Sequence, residues 1–123
     1  MINQIKNKII LITGGAGFIG SHLAEKLAAD NRLIIYDNFH RNVLKYTKLL
    51  HHPRVKIIKG DILDAGKLNK VIDEVEVVIH LAAIAGVESV AVSPLETLEI
   101  NLMGTYNLLR AINGKAKRIE KFI

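Results

Sequence analysis

The chain of 123 residues has no cysteine. Disulfides, thiolate catalysis and cysteine–zinc sites are therefore excluded, and a reducing cytoplasm is the compartment this usage predicts. Long apolar runs are missing too: none approaches the ~20 residues a membrane-spanning helix needs. The segment from Met1 to Lys8, MINQIKNK, has polar residues where a signal peptide requires an apolar centre. No linker, low-complexity stretch or internal repeat is visible. The five histidines, His22, His40, His51, His52 and His80, show no metal-ligand spacing, so no metal is expected. His51-His52 ahead of Pro53 reads as a solvated loop.

Half of the residues are hydrophobic and 24% are charged, which excludes a disordered chain and suits one domain with one core. A net charge of +5 invites a nucleic-acid reading. The lysines and arginines are scattered from Lys6 to Lys121, however, and only Lys115, Lys117, Arg118 and Lys121 cluster. We read them as a solvated face, with neither a nucleic acid nor a membrane as partner.

Short apolar runs alternate with helical periodicity. Strands are expected at Lys8–Thr13, Leu33–Asp37, Val55–Lys59, Val75–Leu81 and Glu120–Ile123, rich in Ile and Val as buried parallel strands are. A first helix is expected on the row Ile19, Leu23 and Leu27, with Ala24 and Ala28 beside it. A short second helix is placed near Val43–Leu50, and a third over Ala65–Asp73 with Asp64 as its N-cap. Ser93-Pro94-Leu95-Glu96 combines a capping box with proline at the first helical position and opens a fourth. Leu95, Leu98, Leu102, Leu109 and Ile112 form its expected apolar face, and Asn113-Gly114 its stop. Gly104 in its middle costs about 1 kcal/mol relative to alanine, and close approach of another backbone would compensate. The alternation implies an α/β fold: a doubly wound parallel sheet with helices on both faces and a ligand beyond the carboxyl ends of the strands.

Four of the nine glycines fall between Gly14 and Gly20, directly after the run Ile9-Ile10-Leu11-Ile12. Gly15, Gly17 and Gly20 satisfy G-x-G-x-x-G; Gly14, Gly17 and Gly20 satisfy G-x-x-G-x-x-G. Either spacing puts a tight turn at the start of a helix, whose free N–H groups and positive dipole end suit a pyrophosphate. Asp37 closes the second strand 17 residues after Gly20, where an acid accepts from ribose hydroxyls and repels a 2′-phosphate. This favours NAD over NADP, a preference that nearby Arg41 weakens.

Thr13-Gly14-Gly15-Ala16-Gly17-Phe18-Ile19-Gly20, Tyr36-Asp37-Asn38, Gly60-Asp61-Ile62, His80-Leu81-Ala82-Ala83 and Asn101-Leu102-Met103-Gly104-Thr105 occur in that order along nearly the whole chain. Together they resemble the extended short-chain dehydrogenase/reductase family, and within it the NAD-dependent nucleotide-sugar epimerases and dehydratases. The resemblance implies a Rossmann-type NAD-binding domain over residues 1–123. Gly14, Gly17, Phe18, Ile19 and Gly20 would hold the pyrophosphate, and Asp37 and Asn38 the adenosine ribose. Asp61 and the backbone of Ile62 would meet the adenine edge. Leu81, Ala82 and Ala83 would lie under the nicotinamide-side ribose, and Asn101 near the active site. Ile84–Ser89 would face the sugar nucleotide.

The family's reaction begins with transfer of hydride from a sugar carbon to NAD, with a Tyr-x-x-x-Lys pair and a Ser/Thr handling the proton. Those residues would lie beyond the fifth strand, in which this sequence stops, so no catalytic residue is assigned here and the domain is expected to be incomplete, without its substrate domain. Tyr36 is followed four residues on by His40, Tyr46 by Leu50 and Tyr106 by Arg110. Only the last pair sets a cation one turn away, and arginine does not replace lysine there, so packing is its expected role. The expected function is the NAD-binding part of a nucleotide-sugar epimerase or dehydratase, in the cytoplasm. A stand-alone NAD-binding or redox-sensing module without turnover is the alternative. An apolar face left on the fourth helix would promote self-association, making a homo-oligomer the expected state, or loosen Ile119–Ile123.

Overall fold

The computed structural model describes residues 5–115 and 118–123. Met1 to Gln4, and Lys117 of the basic cluster, lie outside the described residues. Among the described residues five strands are present: β1 (Ile9–Thr13), β2 (Arg32–Asp37), β3 (Val55–Lys59), β4 (Val77–His80) and β5 (Lys121–Phe122). The α-helices among the same residues are α1 (Phe18–Leu27), α2 (Ala65–Val71), α3 (Val87–Val92) and α4 (Pro94–Asn113).

All strand pairs are parallel, in the order β3-β2-β1-β4-β5. The order reverses at β1, which is flanked by β2 on one side and β4 on the other. Residues of a strand alternate between faces, and each face carries its own core. Ile10, Ile12, Leu33, Ile35, Val77 and Ile79 meet Ala24, Leu27 and Ala28 of the α1 region on one side. Leu11, Ile34, Tyr36 and Val78 meet Leu68 of α2 and Leu108 and Ala111 of α4 on the other. This is the doubly wound sheet the alternation of elements implies. At the end opposite the strand tips, the Glu76 carboxylate accepts the Ile9 N–H at 2.9 Å and pairs with Lys8 at 3.4 Å.

Several local expectations differ from the structure. The segment near Val43–Leu50 is not an α-helix but two 3₁₀ turns, Leu44–Tyr46 and Leu49–His51, each burying one leucine, Leu44 and Leu49. A turn that anchors one apolar residue needs no continuous stripe. Asp64 caps α2 as expected, accepting the Lys67 N–H at 2.9 Å, but the last residues of that helix tighten into a 3₁₀ turn, Ile72–Glu74. Ser93 is the N-cap of α4 and Pro94 its first residue, yet the Ser93 side chain makes no capping bond, so the capping box does not form.

The apolar row assigned to α4 mostly faces outward: Leu95, Leu98, Leu102 and Leu109 are exposed. The helix instead buries Thr97, Gly104, Leu108 and Ala111. Gly104 is approached by a side chain rather than a backbone, since a Cβ there would lie 2.5 Å from Ile62 Cγ2. In α1, Ile19 is likewise exposed, and Gly20, Ser21, Ala24 and Leu27 form the buried face. The fifth strand is shorter than expected, with Lys121 and Phe122 registered against Val77 and Val78.

Candidate functional site

The glycine loop runs from the tip of β1 into α1 and builds the centre of the site. Gly14 has φ +70°, and a Cβ there would stand 2.7 Å from the Ala82 nitrogen. Only glycine fits both the dihedral and the space. A Cβ on Gly20 would collide with the Gly14 carbonyl and come within 2.6 Å of Gly15 Cα, so the helix can start against the loop only without a side chain. Gly14, Gly17 and Gly20 line the cleft above, whereas Gly15 packs against Ile35 beneath. The G-x-x-G-x-x-G spacing is thus the one that frames the cleft.

Gly17 is the N-cap of α1 and has no side chain with which to cap it. Among the described residues, the N–H groups of Phe18, Ile19 and Gly20 find no acceptor, while Ser21 N–H already bonds to Gly17 O. Three parallel donors at the positive end of a ten-residue helix make an anion seat.

Asp37 sits at the tip of β2, buried, and both its oxygens are engaged. Oδ2 accepts the Ala16 N–H at 2.9 Å and Oδ1 accepts the Phe39 N–H at 2.8 Å. A carboxylate has about four acceptor positions, so two remain for a ligand. Tyr36 lies under the same rim, and its hydroxyl donates to the Asp61 carbonyl at 2.7 Å. Burial, followed by the charges of Asp64 and Asp61, raises the Tyr36 phenol to about 12 and keeps it a neutral donor. Asp61 Oδ1 accepts the Leu63 N–H at 2.8 Å, fixing the loop after β3.

The cleft these groups enclose has a volume of about 730 Å³. Twelve of the thirteen residues singled out by sequence line it: Gly14, Gly17, Phe18, Ile19, Gly20, Asp37, Asn38, Asp61, Ile62, Leu81, Ala82 and Ala83. They come from four loops far apart in sequence, gathered at one end of the sheet by its strand order. The thirteenth, Asn101, does not line the cleft. Its carboxamide holds the backbone of Ile84, accepting from N at 2.8 Å and donating to O at 3.0 Å.

The cleft also includes groups that the sequence reading did not assign to it. Tyr36 and Gly60 open two of the motifs without having been given a role there, and His40 stands two residues after Asn38. Ser93, Glu96 and Ile100 reach it because α4 passes along its open side. The Ile84–Ser89 segment is part helix, since α3 begins at Val87 after Gly86, which has φ +111°. Tyr106 and Arg110 stack at 5.9 Å on α4, and neither lines the cleft.

Below the cleft floor, His80 joins two threonines. Its Nδ1 is 2.7 Å from Thr13 Oγ1 and its Nε2 is 3.0 Å from Thr105 Oγ1. Burial pushes its pKa down, favouring the neutral ring.

The family profile described as GDP-mannose 4,6 dehydratase matches residues 11–123. Among curated relatives, a UDP-N-acetyl-alpha-D-glucosaminuronate decarboxylase of Bacillus cytotoxicus is 44% identical over 114 residues, covering 91% of this chain and 35% of the relative. A solved UDP-N-acetylglucosamine 4-epimerase from Methanobrevibacter ruminantium, in complex with UDP-N-acetylmuramic acid, superposes with a TM-score of 0.87 at 34% identity. That match covers 96% of this chain and 37% of the other. The Thermus thermophilus UDP-glucose 4-epimerase complex with NAD gives 0.79 at 31% identity, covering 93% and 36%. The chain thus spans little more than a third of the length of these relatives.

Proposed function

The chain belongs to the GDP-mannose 4,6 dehydratase family, and from that premise we propose that it forms the NAD-binding part of an enzyme acting on a nucleotide-sugar. The observation that carries this reading is the anion seat of Phe18, Ile19 and Gly20 at the switch point of the sheet, with a buried carboxylate one strand away. A dinucleotide is the ligand class that needs both at that spacing. Its pyrophosphate would occupy the seat. The order of the strands then directs one nucleoside over β2 and β3, toward Asp37, Asn38, Asp61 and Ile62. It directs the other over β4, onto Leu81, Ala82 and Ala83.

NAD, when bound, supplies a reversible hydride acceptor for a sugar carbon. This chain's residues bind and orient. The three N–H groups neutralise phosphate charge, and Asp37 offers its two remaining acceptor positions to ribose hydroxyls while disfavouring a 2′-phosphate. The small side chains of Ala82 and Ala83 let a ring lie close to backbone. The sequence contains no Tyr-x-x-x-Lys, and none of its residues is assigned to move the proton of the sugar hydroxyl. Relatives named as epimerase, decarboxylase and dehydratase share this portion, which fits a common oxidation step and leaves the choice of product to the remainder.

A cytoplasmic location agrees with the cysteine-free composition, and no helix among the described residues is long and apolar enough to cross a membrane. A homo-oligomer agrees with the exposed leucines of α4. The test of the central reading is calorimetric titration with NAD and NADP. Saturable binding of NAD, stronger than that of NADP, is the expected result. No binding of either would remove the proposal.

A further inference from the structure

The two ends of the cleft are secured differently. Over β2 and β3, side chains of Asp37 and Asp61 anchor their own loops. Over β4, the floor is a run of small and apolar residues, Leu81 to Ile84, that carry no polar side chain and must be held from below. Two tethers do so. The Ala82 N–H donates to Thr13 Oγ1 at 3.3 Å, and the Asn101 carboxamide clasps Ile84.

The first tether is bonded to His80 directly, and the second stands on the turn of α4 that Thr105 joins to His80. Thr105 donates its only hydroxyl hydrogen to the backbone carbonyl of Asn101, one helical turn back, at 2.7 Å. Towards His80 it is therefore an acceptor, so Nε2 carries the hydrogen. In the neutral ring Nδ1 is then bare and accepts the Thr13 hydroxyl, and the Thr13 oxygen keeps a lone pair for Ala82. Every hydrogen in the chain Ala82–Thr13–His80–Thr105–Asn101 has one consistent direction. The Thr13 side chain is fully buried, so reversing its bond to Nδ1 would strand its hydrogen without an acceptor.

We propose that His80 is a positioning residue for the half of the dinucleotide that lies over β4: as its Nε2–H tautomer it links Thr13 on β1 to Thr105 on α4 and so sets the height of the Leu81–Ile84 backbone. The proposal rests on the dinucleotide reading above. It assigns Thr105, which does not itself line the cleft, an effect on one half of the ligand only.

The experiment compares the unaltered protein with Thr105→Val, which keeps shape and loses the hydroxyl, and Thr105→Ser, which restores it. NAD and ADP are titrated calorimetrically, since ADP probes only the anion seat and the adenosine end. Thr105→Val is expected to weaken NAD about tenfold, the scale of one lost hydrogen-bond relay, and ADP by less than about twofold. Thr105→Ser is expected to recover most of the loss. Nitrogen chemical shifts of His80 in the unaltered protein are expected to report a bare Nδ1 and a protonated Nε2. Undiminished NAD affinity in Thr105→Val, equal losses for NAD and ADP, or an Nδ1–H ring would each overturn the proposal and leave the dinucleotide reading intact. If the unaltered protein bound neither ligand, the dinucleotide reading would fall and this inference with it.

Discussion

The Ala16 N–H donates to Asp37 Oδ2 across 2.9 Å, so the acid at the tip of β2 and the glycine loop after β1 form one unit. Ala16 is fully buried, and its amide has no water to fall back on. Asp37 is thus a structural brace as well as a proposed ribose acceptor.

Asp37→Ala removes both functions. An unsatisfied buried N–H costs about 1–3 kcal/mol, so the variant should unfold at lower denaturant concentration as well as lose its preference for NAD over NADP. Urea titration alongside calorimetry separates the two effects. A variant of unchanged stability would show that the brace to Ala16 is dispensable.

Gly20 and Gly66 should respond oppositely to alanine. At Gly20 the new methyl meets backbone of the glycine loop, which cannot give way as a flexible side chain could, and a loss of about 1–3 kcal/mol with abolished NAD binding is expected. At Gly66, in the first turn of α2, the nearest atom is Asp64 Oδ1 at 3.6 Å. Alanine there is expected to raise stability by about 0.5–1 kcal/mol and leave binding untouched. Thermal denaturation of the pair with and without NAD provides the check, and equal effects at both sites would contradict the crowding argument.

Acidification should weaken the fold through two groups. Burial holds His80 below its ordinary value of 6.5. The unfolded chain therefore binds a proton that the folded one resists, and His80's contribution is complete above pH 6.5 and lost as pH falls through its folded value. Glu76 is held below its ordinary 4.5, chiefly by the Ile9 N–H. Its contribution is complete above pH 4.5 and disappears as pH falls through its own lower value. Denaturant midpoints followed from about pH 8 to about pH 3 should show both declines. His80→Gln should flatten the first and spare the second; an unaltered first decline would assign it to other groups.

The outward leucines of α4 predict self-association. Leu98 and Leu102 are 60% and 61% exposed and lie one helical turn apart. Contiguous exposed apolar surface of this kind marks an interaction face. Sedimentation velocity at rising concentration should show a dimer or larger species, and Leu98→Glu with Leu102→Glu should return a monomer of undiminished thermal stability. A monomer without the substitutions would contradict the oligomer proposal.

Local patterns were legible where one short stretch of chain sufficed to specify them. Asp64 as a cap, Pro94 at the head of α4 and the strand Val55–Lys59 all follow from neighbours in sequence. The faces of α1 and α4 did not. Leu95, Leu98, Leu102 and Leu109 recur at helical spacing, and spacing alone marks a stripe without saying what covers it. The core side of α4 is instead built from Thr97, Gly104, Leu108 and Ala111, and Gly104 leaves room for Ile62. Asn101 was drawn to the cleft by its motif, but its carboxamide meets the Ile84 backbone first.

From its sequence alone, this protein has its alternation of strand and helix, its glycine turn and the acid that follows, because periodicity, Cβ-free turns and strand-end charge act over a few residues at a time. Tertiary structure alone decided that four distant loops share one cleft, that both Asp37 oxygens are already engaged, and that His80 bridges two threonines beneath the floor. Those contacts depend on the order in which parallel strands assemble and on the distance between layers, and both are set by packing among residues far apart along the chain.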